Sequence, residues 1–74
     1  MPKGDVETYW QDGEWHNRVE GTDQVLSSER TKAEAVDIGR DIARELRVEH
    51  IIRSQDGRIA TRNSYGHDPR RIRG

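Results

Sequence analysis

Hydrophobic and polar residues follow two rhythms along this chain, and the change of rhythm marks the elements. From Thr31 to Arg47 the apolar positions recur at helical spacing. On a wheel of about 100° per residue, Ile38, Ala35, Ile42, Leu46, Gly39, Ala43 and Val36 fill one arc of roughly 160°, wide enough for a helix lying on a sheet. Thr31-Lys32-Ala33-Glu34 has the form of a capping box. The Thr31 hydroxyl accepts from the N–H of Glu34, and the Glu34 carboxylate reaches back to the N–H of Thr31. Arg40, Arg44 and Arg47 lie on one flank of the arc, and Glu34, Asp37, Asp41 and Glu45 on the other. Gly39 sits in the middle of the apolar arc, where a glycine costs a helix about 1 kcal/mol relative to alanine. Missing bulk there points to a large side chain, a tryptophan, pressed against the helix backbone. The functional alternative is a ligand touching the bare backbone.

Elsewhere the period is two. Val6 to Trp10 and Glu14 to Val19 flank Asp12-Gly13, a favoured pair for a two-residue type I′ turn. That turn sets Gln11 opposite Glu14, Trp10 opposite Trp15, Thr8 opposite Asn17 and Val6 opposite Val19. The face with both tryptophans is expected to meet the helix. On the other face Glu7 pairs with Arg18 and Tyr9 with His16, as exposed cross-strand pairs. Gly21-Thr22-Asp23 reads as a turn, and Gln24 to Ser28 as a weaker third strand. After the helix, Val48 to Ser54 carries the core-type pair Ile51-Ile52, Asp56-Gly57 is a second turn, and Arg58 to Ser64 returns. A two-residue turn puts Ile52, Ser54, Ile59 and Thr61 on one face. A one-residue bulge instead sets Ile59 opposite Arg53. The simplest architecture is α+β: an antiparallel sheet in the order β-β-β-α-β-β with one helix packed on one face. Its expected core comprises Trp10, Trp15, Gly39, Ile42, Leu46, Ile52 and Ile59.

Seventy-four residues make one small domain, with 1–5 and 70–74 as its expected flexible ends. Hydrophobic residues are 30% and charged residues 36%, so the core is thin and self-association is one remedy. There is no cysteine, hence no disulfide and no thiolate metal site. No apolar run reaches membrane-spanning length and no signal peptide is visible, which fits the cytoplasm. Net charge is −1, but residues 1–37 hold 4 basic and 9 acidic side chains, and residues 38–74 hold 9 and 5. Eleven of the 13 basic residues are arginine, suited to planar contacts with carboxylates or phosphates.

Chemistry-bearing patterns are few. His16, His50 and His67 show no recognised metal spacing, the serines lack a nucleophile-elbow context, and no Gly-rich phosphate loop occurs. The expectation is therefore no enzyme, no metal and no cofactor. In Ser64-Tyr65-Gly66-His67-Asp68-Pro69, Tyr65 can lay its ring on the sheet edge, Gly66 permits a reversal and Pro69 ends ladder pairing. The segment reads as a clamp on the last strand, or as a recognition tail through Tyr65, His67 and Asp68.

The chain resembles a family of small bacterial and phage domains of unknown function. The resemblance rests on Gly13-Glu14-Trp15, Thr31-Lys32-Ala33-Glu34-Ala35, Asp56-Gly57-Arg58-Ile59 and the tail Asn63-Ser64-Tyr65-Gly66-His67-Asp68-Pro69. It implies a compact α+β domain and brings no activity, substrate or cofactor. Such domains usually carry an apolar residue two after the tryptophan, where this chain has Asn17.

Two functions remain. The first is a binding module acting through contacts with an unidentified protein or with a second copy of itself as a homodimer. The second is nucleic-acid backbone binding through Arg40, Arg44, Arg47, Arg70, Arg71 and Arg73.

Overall fold

The computed structural model describes residues 4–22 and 24–65. The elements are β1 (Val6–Gln11), β2 (Glu14–Val19), β3 (Val25–Glu29), α1 (Lys32–Leu46), β4 (Glu49–Arg53) and β5 (Ile59–Ser64). They form a five-stranded sheet in the order β3-β2-β1-β4-β5. The helix lies across β1 to β4.

The sheet is mixed, not fully antiparallel as the sequence pattern suggested: β1 and β4 are parallel. The cause is the single helix. At about 1.5 Å per residue its 15 residues span roughly 22 Å, close to the length of a six-residue strand. One pass along it returns the chain to the end of the sheet where β1 begins. β4 therefore starts beside β1 and runs with it.

Thr31 is the N-cap, extended at φ −117° and ψ 154°, and its hydroxyl accepts from Glu34 N–H at 3.2 Å. The reciprocal bond differs from the capping-box expectation, because the Thr31 hydroxyl itself donates to the Glu34 carboxylate at 3.1 Å. Arg47 closes the helix in the left-handed region, φ 60°, with its N–H donating to the carbonyls of Ala43 and Arg44.

The first hairpin has the expected register at every rung from Val6–Val19 to Gln11–Glu14. Asp12 and Gly13 both have positive φ, as a type I′ turn requires. The second hairpin takes the bulged alternative, with Ile59 opposite Arg53. Ser54 N–H donates to the Arg58 carbonyl at 2.8 Å, so three residues, Gln55, Asp56 and Gly57, make the turn. Of these only Gly57 has positive φ. The Asp56 carboxylate accepts from Ser54 Oγ and from Arg58 N–H, which holds the loop in this longer form.

Val6, Ala43 and Val48 form a buried cluster, with Ile42 and Tyr65 half-buried against it. Trp15, Gly39 and Ile52 are buried as expected. Three expected core residues are not. Trp10 is 38% exposed, Leu46 45% and Ile59 46%. The helix begins near Trp15, with Lys32 over its ring at 5.5 Å, and leaves Trp10 at the outer corner of the hairpin. Leu46 lies on the apolar arc in angle, but it belongs to the last turn, where the helix ends. Ile59 lies on β5, which the helix does not reach. Among the described residues no helix is long and apolar enough to cross a membrane.

Candidate functional site

Strand alternation places Thr8, Asn17 and His50 beneath the helix, and all three are fully buried. Asn17 Nδ2 donates to the Ala35 carbonyl and to Ser27 Oγ, both at 2.9 Å. That fixes the orientation of the amide, so Asn17 Oδ1 must be the acceptor from the Thr8 hydroxyl, 2.5 Å away. Thr8 has one proton and spends it there. Its oxygen, 2.7 Å from His50 Nε2, can then only accept from that nitrogen. His50 therefore carries a proton on Nε2, and burial favours the neutral ring. Its Nδ1 is buried without a hydrogen-bond partner among the described residues. Burial first, then the positive charge of Arg40, hold this imidazole below its ordinary pKa.

Gly39 roofs this triad. A Cβ there would lie 2.7 Å from both His50 Nε2 and Thr8 Oγ1, and closer still to Asn17 Oδ1. The missing side chain thus makes room for three polar groups, not for the tryptophan that the sequence pattern suggested. Asn17, where the resemblance led one to expect an apolar residue, is the centre of the triad.

The opposite face of the sheet carries a charged cluster. Glu7 is only 2% exposed, where the sequence pattern placed it in solvent. Its carboxylate accepts from Arg18 Nε at 2.7 Å and from Arg53 Nε. Arg18 also lies over the Tyr9 ring at 4.6 Å, and Tyr9 packs against His16 with ring centroids 5.4 Å apart. Burial disfavours the charged form of Glu7, but the hydrogen bonds and charges of Arg53 and Arg18 outweigh it. The carboxyl is held below its ordinary pKa. Beside this cluster, Ser28 Oγ lies 2.7 Å from His16 Nδ1, and His16 Nε2 donates to the Gln11 carbonyl at 3.1 Å. This hydroxyl–imidazole–carbonyl row stands on the exposed surface and ties β3 to β2 in register.

The arginines singled out from the sequence do not converge on either cluster. Arg40 pairs with Asp37 at 2.7 Å on the helix surface. Arg44 and Arg47 are exposed and line a shallow depression with Asp41 and Glu45. Tyr65 is half-buried against the core, and its N–H donates to the Val48 carbonyl at 3.3 Å, a clamp on the end of β5. His67, Asp68, Arg70, Arg71 and Arg73 lie outside the described residues. Among the described residues no group of three His, Cys, Asp or Glu side chains is placed to hold a metal ion.

The pairing of Glu7 with Arg18 was visible in the hairpin register, whereas Arg53 and His50 join their partners only through the parallel β1–β4 pair. No similar protein is found among curated proteins or solved structures. Residues 6–65 match the model of a family described as an uncharacterized protein conserved in bacteria. With that match covering most of its length and both buried clusters, the chain belongs to this bacterial family, DUF2188.

Proposed function

We propose that this domain is a non-enzymatic binding module acting through protein contacts, and that its contact element is the edge strand β5. The observation that carries this reading is the exposure of all six β5 residues, on both faces of the sheet. The helix packs on the other four strands and leaves this one bare. An edge strand presents a row of backbone donors and acceptors that a second strand satisfies, from a partner or from another copy. Ile59-Ala60-Thr61-Arg62-Asn63-Ser64 contains no proline and one charge, so little in it opposes such pairing.

Tyr65 N–H points to β4, so Thr61 and Asn63 point the same way and the N–H of Arg62 points outward. Arg62→Pro would remove an outward donor and obstruct the edge while sparing the β4–β5 ladder. Light scattering across a concentration series, with and without this substitution, tests the homodimer form. A strict monomer at high concentration that also binds no strand-forming peptide would overturn the reading.

A second reading is nucleic-acid backbone binding, favoured by the exposure of Arg44 and Arg47 at one end of the helix. Asp41 and Glu45 beside them work against it. A gel-shift titration at low and high salt separates the two, because phosphate contacts weaken steeply with salt.

A further inference from the structure

We infer that the domain contains an acid-sensitive latch: His50 holds the helix-to-sheet contact together only while its imidazole is neutral, and mild acid releases it. The argument starts from the direction of each bond in the triad. Ala35 O accepts from Asn17, Asn17 Oδ1 accepts from Thr8, and Thr8 accepts from His50 Nε2. Each donor proton has one place to go. The series runs from β4 through β1 and β2 to the helix backbone, so it joins three strands to α1 beneath Gly39.

Protonating His50 adds an N–H at Nδ1. That nitrogen is buried without a partner, so the new donor loses water and gains no acceptor among the described residues. Among the described residues no acidic side chain bonds His50, and the nearby Asp5 carboxylate is taken up by the Glu49 N–H at 3.2 Å. From the helix, Arg40 bears on His50 with a like charge, and its own partner, Asp37, is on the exposed surface. β1 presents Thr8, β2 presents Asn17, and β5 sets Asn63 across from His50, all uncharged. Within β4, Glu49 and Ile51 alternate to the opposite face of the sheet. The charged imidazole is thus better accommodated in water, which it reaches when the helix lifts from the sheet.

The sign of the pH effect follows. The unfolded chain takes up a proton on this histidine below about pH 6.5, while the folded chain resists. The stabilisation is complete above that pH. It declines as pH falls towards the lowered folded value, by about tenfold in the folding equilibrium constant per pH unit.

Chemical denaturation of the full chain from pH 7.5 to 5.0 tests this, with His50→Gln and His16→Gln beside the unchanged protein. Glutamine keeps an N–H donor for Thr8 and cannot titrate. The expected result is a loss of stability with acid in the unchanged protein and in His16→Gln, and a slope shallower by one proton in His50→Gln. Equal slopes in all three would overturn the latch. Should His50→Gln fail to fold, nitrogen NMR of the unchanged protein decides. A His50 that stays unprotonated at Nδ1 down to pH 5.5 while folded supports the latch, and one that titrates near pH 6.5 in the folded state refutes it.

Discussion

The two faces of the sheet each bury a polar cluster, and they do so with opposite chemistry. Under the helix, Thr8, Asn17 and His50 are neutral and lie against the backbone of Gly39. On the other face, Glu7 is charged and lies beneath Arg18 and Arg53, whose side chains are 36% and 27% exposed. On the helix side all three side chains are fully buried, so the cluster depends on hydrogen-bond direction and loses stability when a charge is added. The arginine side keeps its cations about a third in solvent and needs the charge it has. A buried ion of one sign under two flexible ions of the other also tolerates change better, because the arginines can turn outward.

This difference orders the effects of substitution. Gly39→Ala should be the most damaging, since its Cβ would enter the space of three polar atoms with no free direction to move. A loss of about 3 kcal/mol is expected, at the upper end for overpacking. That approaches the roughly 3–5 kcal/mol a core of this size supplies, so the variant should be largely unfolded by circular dichroism. A cooperative melt near that of the unchanged protein would show the triad to be loose. Glu7→Gln should cost about 2 kcal/mol in urea denaturation, less than the 3–5 kcal/mol for a fully buried pair, because Arg18 and Arg53 regain water.

Acid separates the faces. The Glu7 carboxyl has a lowered pKa in the folded chain, so its stabilisation is present above about pH 4.3 and is lost as pH falls through the folded value. Glu7→Gln should flatten the denaturation profile in that range and leave the His50 range above it unchanged. A variant that altered both ranges would mean that the two clusters are coupled through the sheet. Thr31→Ala should cost about 1 kcal/mol by removing the N-cap, and it should affect both faces alike when followed by thermal melting. Arg40→Ala, which breaks an exposed pair on the helix surface, should change stability by under about 0.5 kcal/mol. Its effect on the acid range of His50 should be the larger one: removing the like charge makes the imidazole easier to protonate in place.

Much of the architecture was legible from the chain. The spacing of Ala35, Gly39 and Ala43 marked the helix, Thr31 and Glu34 marked its start, and Asp12-Gly13 set a hairpin register that holds at every rung. Gly39 was singled out, but its neighbours were not. The first candidate arginines were chosen for charge on a helical wheel: Arg44 and Arg47 line an exposed depression instead, and Arg40 reaches the buried triad only through its charge on His50.

What the sequence by itself determined is the part governed by neighbours in the chain: helix, cap, tight turn and strand alternation, whose bonds close over a few residues. Tertiary structure decided which strand β4 would join. Glu7 meets Arg53 across 46 positions and Thr8 meets His50 across 42, and both encounters exist because β4 runs parallel to β1. No local propensity encodes that choice. It follows from one helix, as long as the strands it covers, carrying the chain back to the end of the sheet where β1 began.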